Sequence, residues 1–294
     1  MRTKSFLITG LCAILVSLLL MGCAPEEESV LEKVKRTGEI TIGHREGSIP
    51  FAFYDNVGNW VGFSVDLGEQ LVEELEKELN MDIKYIKKSV NSENRILLVA
   101  NRTIDIEMGS STHTISREDT VDFTITFFLT GSRLLVPKGS PTRDFEDLAG
   151  KKIGAALGST NEIALRNANA EGIISPACII ETVEDHTQGF LALSEGKTDA
   201  YCADESLLAG MKQAAPTPED WEVVGRLLTY DPYAYIVPEG DSDWQDFVNT
   251  FLIHLIKSGE FYKIYDKWMG PNGVVPIEIT HEYKTLLELQ CWPE

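Results

Sequence analysis

Apolar residues recur every fourth position at Leu67, Leu71, Leu75 and Leu79, and acids fill the opposite face. That period predicts an amphipathic helix over residues 65–80, with Ser64 as its cap. A short helix over 30–38 stops at Gly38. It is followed by a strand, Glu39-Ile40-Thr41-Ile42-Gly43, and by a small hairpin of 51–56 and 60–63 with its turn at 57–59. After the amphipathic helix comes a second strand over 82–86. Residues 91–95 open another helix, with Ile96, Leu97 and Val99 inward. A third short strand begins at Asp105-Ile106-Glu107 and runs into the small and hydroxyl residues Gly109-Ser110-Ser111-Thr112. The order is β-α-β-α-β.

The pattern then changes and repeats. An extended apolar run over 127–137 reads as a connection into a second lobe, changing character at 138–141. There follow a helical turn over 144–150, a strand over 152–157, the turn Gly158-Ser159-Thr160 and a helix over 161–171. A strand over 178–183 ends in Glu184-Asp185-His186-Thr187, a helix covers 188–195, and a strand over 198–203 ends at Asp204. Residues 227–238 form a second extended run, read as the return crossing. A long helical stretch over 244–269 carries Phe247, Phe251, Leu255 and Ile256 at core spacing. The predicted fold is α/β: two doubly wound lobes joined by two extended crossings, with a ligand cleft between them. Lobe 1 is expected over 30–135 and 236–294, and lobe 2 over 136–235. Ligands of such sheets sit at the carboxyl ends of the strands. Arg45, Ser92, Arg95, Ser110, Thr112 and Arg117 therefore collect on one rim, and the polar strand ends of lobe 2 face them.

The 294 residues suffice for two modest domains, and 43% hydrophobic with 24% charged residues is an ordinary globular balance. Residues 1–22 are set apart. Arg2 and Lys4 precede an apolar stretch over 6–21 that is short for a membrane span and reads as an export signal. Its end, Leu20-Met21-Gly22-Cys23, resembles the lipobox of bacterial lipoproteins, which implies lipidation of Cys23 and a tether over 23–29; an uncleaved anchor or an ordinary signal are the alternatives. Removing residues 1–22 takes away two cations and no acid, so the formal charge falls from -20 to -22. Such a surface argues against nucleic acid and against a basic-patch membrane mode. It does not choose the sign of a ligand, because charges are screened over ~8–10 Å. Cys178, Cys202 and Cys291 have neither zinc-type spacing nor a disulfide framework; one bridge is open to them, with no pair favoured. No metal set or cofactor motif is present.

The hydroxyl run before Arg117 suits a carboxylate. A helix start offers free N–H groups, and a guanidinium holds a carboxylate through two parallel bonds. The plainer reading is a polar turn with a solvated Arg117. More of the chain bears on the choice: Gly43-His44-Arg45-Glu46, Asn91-Ser92-Glu93-Asn94-Arg95-Ile96, Gly109-Ser110-Ser111-Thr112, Asp147-Leu148-Ala149-Gly150-Lys151, Gly158-Ser159-Thr160, Lys197-Thr198-Asp199-Ala200 and Asp204-Glu205-Ser206-Leu207-Leu208-Ala209-Gly210. With these segments, residues 30–271 resemble the type II periplasmic solute-binding proteins of polar amino-acid ABC transporters, and within them the glutamate/aspartate-binding group.

The resemblance implies that Arg117, Thr112 and the turn with Ser159 and Thr160 hold an α-carboxylate. Asp204 and Ser110 would take the α-ammonium, and Arg45, Ser92, Arg95 and His186 the side-chain carboxylate. It further implies L-glutamate or L-aspartate as ligand, membrane permease and ATPase subunits as partners, no cofactor, a monomer, and a place outside the cytoplasm. His113-Thr114-Ile115-Ser116 and Glu205 depart from the family pattern. Arg45 and Arg95 decide between an acidic and a neutral ligand such as glutamine. Each site residue has a plainer alternative: Arg45 paired with Glu46, Arg95 on a solvated helix face beside Glu93, His186 as a loop residue, Asp204 as a helix cap. Two other functions compete. An enzyme of the same fold, such as a cyclohexadienyl dehydratase-like lyase, needs a poised carboxylic acid, for which Glu46, Glu162 and Asp204 are candidates. An extracellular sensory domain needs a span and a signalling module, and no segment up to Glu294 supplies them.

Overall fold

The computed structural model describes residues 28–293. The expected signal over 1–22 and the lipidation at Cys23 lie outside these residues. Among the described residues no helix is long and apolar enough to cross a membrane.

In chain order the strands of the first lobe are β1 (Glu39–His44), β2 (Gly47–Ser48), β3 (Ala52–Tyr54), β4 (Trp60–Val61), β5 (Lys84–Ser89), β6 (Ile106–Glu107) and β7 (Val121–Phe123). They are followed by β8 (Phe128–Thr130), β9 (Ser132–Pro137), β10 (Lys152–Ala156), β11 (Ile179–Val183), β12 (Ala200–Asp204), β13 (Trp221–Val224), β14 (Asp231–Tyr233) and β15 (Ile236–Pro238). The first large sheet has the order β5-β1-β6-β15-β7, and the second β11-β10-β12-β9-β13. Each has four strands that run one way and a single strand against them, β15 in the first sheet and β9 in the second. The parallel strands connect through helices, as βαβ units require. Both lobes are thus the same winding, built once from a split segment and once from a continuous one.

The crossings pair with each other. β8 and β14 form a two-stranded antiparallel ribbon, Phe128 opposite Tyr233 and Thr130 opposite Asp231. The aromatic side chains of Phe51, Phe127, Phe128, Tyr233 and Tyr235 stack edge-on or face-on around this ribbon. Leu67, Leu71 and Leu75 are buried in the first lobe, as their period requires, and Leu79 is half-buried. Leu134, Phe145, Ile153 and Leu165 fill the second lobe.

Several expectations need correction. The amphipathic helix runs Phe63–Leu79 and Ser64 does not cap it. The first N–H groups are met from the preceding hairpin, Phe63 donating to the Pro50 carbonyl and Ser64 to that of Phe51, so no side-chain cap is required. The Ser64 hydroxyl donates instead to the Gly109 carbonyl, 3.1 Å away. Leu97 is 64% exposed rather than inward, because the helix Arg95–Ala100 has less than two turns and buries only Arg95 and Val99. The stretch 244–269 is two helices, Ser242–Ser258 and Glu260–Met269, broken at Gly259, whose φ of 84° is left-handed and ends the first. The run 127–137 divides at Gly131: only β8 belongs to the ribbon, and β9 enters the second sheet beside β12 and β13. Among the described residues Cys178, Cys202 and Cys291 are all free thiols.

Candidate functional site

The site is built from strand ends. Arg45 follows β1, and its carbonyl accepts a 2.7 Å bond from the Trp60 indole N–H. Asn91 and Asn94 each accept the other's backbone N–H at 2.9 Å, which shapes the turn that delivers Arg95 to the start of its helix. Arg95 donates through Nη1 to the Ser110 carbonyl at 3.3 Å. After β6 the chain brings Ser110 and Thr112 to the same rim, while the buried Glu107 carboxylate accepts the Ser111 hydroxyl at 2.6 Å. From the other lobe, Ser159 caps the helix Thr160–Ala170 by accepting the Glu162 N–H at 3.1 Å. Asp204 ends β12, and His186 starts the helix His186–Ser194.

Arg45, Ser92, Arg95, Ser110 and Thr112 from the first lobe, with Ser159, Thr160, His186 and Asp204 from the second, line one cavity of about 10 Å³. Arg117 does not line it. It spans the lobes beside it, donating from Nη1 to the Thr112 carbonyl at 2.6 Å and from Nη2 to the Gly158 carbonyl at 3.3 Å. The plainer alternatives are not what the fold builds. Arg45 and Arg95 are 2% and 3% exposed. His186 is buried and shares a 3.0 Å hydrogen bond with the Tyr201 hydroxyl. Asp204 holds the cap position of the helix Glu205–Ala214, but its side chain makes no cap bond. Its carboxylate accepts from the Asn161 amide at 2.8 Å and from the Tyr233 hydroxyl.

Two cavity residues escaped the sequence reading, Asn161 and Leu207. Asn161 follows Ser159 and Thr160, and the one signal for it was a first-turn place beside an N-cap Ser. Leu207 carried no polar signal. Glu162, a candidate general acid, is committed elsewhere: its carboxylate accepts the Gly158 N–H at 2.8 Å and the Arg166 guanidinium at 2.7 Å. Glu46 is exposed, so neither is a poised acid.

Electrostatics follow from burial. Burial, then repulsion from Arg95, lowers Arg45 to about 10, and the same two causes lower Arg117 to about 9, so both remain cations at neutral pH. His186 is pushed down to about 3 by burial and then by Arg45 and Arg95, and is neutral. Asp204 is pushed up to about 7 by burial and then by Asp231, against the hydrogen bonds from Tyr233 and Asn161. Within the described residues Arg45 Nη2, Arg95 Nε and Ser110 Oγ are buried with no hydrogen-bond partner. Buried donors of native proteins are almost always paired. Charged donors left open in one cavity therefore mark a place for an anion.

The profile of the bacterial extracellular solute-binding proteins, family 3, matches residues 40–271. The chain is 34% identical over 293 residues to the glutamate/aspartate import solute-binding protein of Salmonella typhimurium, covering 97% of this chain and 95% of that one. It is 38% identical over 290 residues to the L-glutamate/L-aspartate-binding protein of Pseudomonas aeruginosa, covering 96% and 95%. Among solved structures, a mutant ArgBP from T. maritima is similar with a TM-score of 0.73 at 25% identity, covering 81% of this chain and 98% of that one. These relatives are binding proteins, not enzymes, and the two-lobed architecture is that of type II periplasmic binding proteins. With a match that spans both lobes, this chain belongs to family 3 of the bacterial extracellular solute-binding proteins.

Proposed function

We propose that the protein captures an acidic L-amino acid, glutamate or aspartate, for an ABC importer. The observation that carries the reading is the pair Arg45 and Arg95, buried to 2–3% exposure in one cavity with unpartnered N–H groups. Two guanidinium ions so placed repel each other until an anion lies between them. A ligand with two carboxylates and one ammonium meets the whole set. Thr112 and the turn at Ser159 and Thr160, with Arg117 reaching in from beside the cavity, take the α-carboxylate, Asp204 and Ser110 the ammonium, and Arg45, Ser92, Arg95 and His186 the second carboxylate. A basic ligand such as arginine would set a third cation against that pair, and glutamine would leave their charge unmet. In this reading the lobes close over the ligand and offer the closed surface to a permease and its ATPase subunits. The protein acts as a monomer outside the cytoplasm, tethered through a lipidated Cys23.

The test is the melting temperature of the exported protein with L-glutamate, L-aspartate, L-glutamine and L-arginine. Ligand at ~100 times its dissociation constant stabilises by about 2.7 kcal/mol, a rise of roughly 5–10 °C for lobes of this size. The rise is expected with the two acids. A rise with glutamine or arginine instead would keep the transport role and remove the roles given to Arg45 and Arg95.

Protonation gives a second test. A carboxyl raised from 3.8 to about 7 favours the protonated folded form, so Asp204 makes the ligand-free protein lose stability as pH rises through that window. An ammonium beside Asp204 favours the carboxylate, so binding near pH 6 is expected to release a fraction of a proton. Calorimetric titration in two buffers of different ionisation enthalpy reads that release. Equal heats in both would remove Asp204 as the ammonium partner.

A further inference from the structure

Arg45 and His186 line a second cavity besides the one described, of about 120 Å³. They belong to the lining of both. Like the first, the second lies between the lobes: Ser48 and Asn94 face it from one, Glu184 and Asp185 from the other. Its volume equals that of about four water molecules, or a short polar chain end. Most of its polar groups are committed. The Asn94 side chain accepts the Asn91 N–H, and Asp185 accepts the Gln188 N–H at 2.8 Å. Two donors are not: Ser48 Oγ, on a residue 1% exposed, and Arg45 Nη2 have no partner within the described residues. The backbone of Ser48 is fixed by its pairing with Ala52 across β2 and β3, which holds the side chain at the cavity. Arg45 thus has polar room behind it.

We propose that the cleft also takes α-amino dicarboxylic acids one methylene longer than glutamate, the terminal carboxylate being received by Arg45 Nη2 and Ser48 Oγ in this second cavity. The proposal rests on the acidic-amino-acid reading above. Glu46, Glu184 and Asp185 also line the cavity and bring negative charge to it. They limit the extension to a group that stops at Arg45 and Ser48, and exclude a second carboxylate carried further out.

The probe is L-2-aminoadipate, titrated against L-glutamate and L-aspartate on the exported protein. A pocket closed at the length of glutamate would discriminate against one extra methylene by ~10–200-fold. With the second cavity available, 2-aminoadipate is expected to bind within about tenfold of glutamate. A larger gap overturns the proposal and leaves the glutamate reading standing. If none of the three acids binds, both readings fall. Ser48→Val fills the cavity and removes its hydroxyl. It is expected to weaken 2-aminoadipate by about tenfold or more while glutamate changes little; parallel losses of both ligands would overturn the proposal. Should the valine prevent folding, Ser48→Ala removes the hydroxyl alone and is read in the same way.

Discussion

Arg95→Met is expected to abolish the rise in melting temperature that glutamate gives the wild-type protein, and to do so without lowering the melting temperature of the ligand-free protein. The side chain is buried, and its Nε has no partner within the described residues. It repels both Arg45 and Arg117, whose guanidinium groups it pushes downward. Methionine keeps most of the buried stem and discards the charge, so in the absence of ligand the change removes repulsion and desolvation at little packing cost. With ligand the balance reverses. A buried, hydrogen-bonded charge lost from one side of an interface costs about 2–5 kcal/mol, roughly thirty- to several-thousandfold in affinity. Thermal melts with and without glutamate, followed by titration calorimetry, measure both halves. A variant that kept the wild-type response would exclude Arg95 from contact with the ligand.

Gly210→Ala is expected to weaken binding through the approach of the lobes rather than through any contact with ligand. Gly210 lies in the helix Glu205–Ala214 of the second lobe, and a Cβ there would stand 2.1 Å from the Ile49 carbonyl oxygen and 2.7 Å from its carbon, both in the first lobe. Backbone cannot yield as a flexible side chain would. Within its own helix alanine is the better residue by about 1 kcal/mol, so the separate lobe gains. Overpacking of a tight contact costs about 1–3 kcal/mol, and here it falls only on the arrangement in which the lobes meet. The ligand-free melting temperature should hold or rise while glutamate affinity falls by roughly five- to 150-fold. Small-angle scattering with saturating glutamate should then show a larger radius of gyration than the wild-type protein. An unchanged affinity would mean that ligand binding does not require this contact.

Much of this was legible along the chain where a local period or a local turn decides the structure. The spacing Leu67, Leu71, Leu75 belongs to one helix face whatever surrounds it, and those side chains are buried. The end of a strand at Ser110 and Thr112 is likewise a local matter. What escaped depends on contacts far apart in sequence. Ser64 lost its cap role because Pro50 and Phe51 meet the same N–H groups. The run after Phe127 is extended throughout, and nothing in an extended segment says which sheet it joins; β9 is claimed by β12, some seventy residues on. Asn161 and Leu207 reach the cavity only because the second lobe is turned toward the first, and no periodicity encodes that angle. Gly259 was the exception, a local signal inside 244–269 outweighed by the apolar spacing on either side.

The order of strands in the first sheet has a consequence for biosynthesis. β15 lies in that sheet between β6 and β7, yet it is made after every strand of the second sheet, whose members fall between Ser132 and Val224. A growing chain can therefore complete lobe 2 from a continuous segment while lobe 1 still lacks a central strand. Until residues 236–238 emerge, β6 and β7 flank an unfilled slot of free N–H and C=O groups, the kind of edge that pairs with foreign strands. The lobe whose synthesis starts first can be completed only after the other, once the hundred or so residues between β7 and β15 have been made.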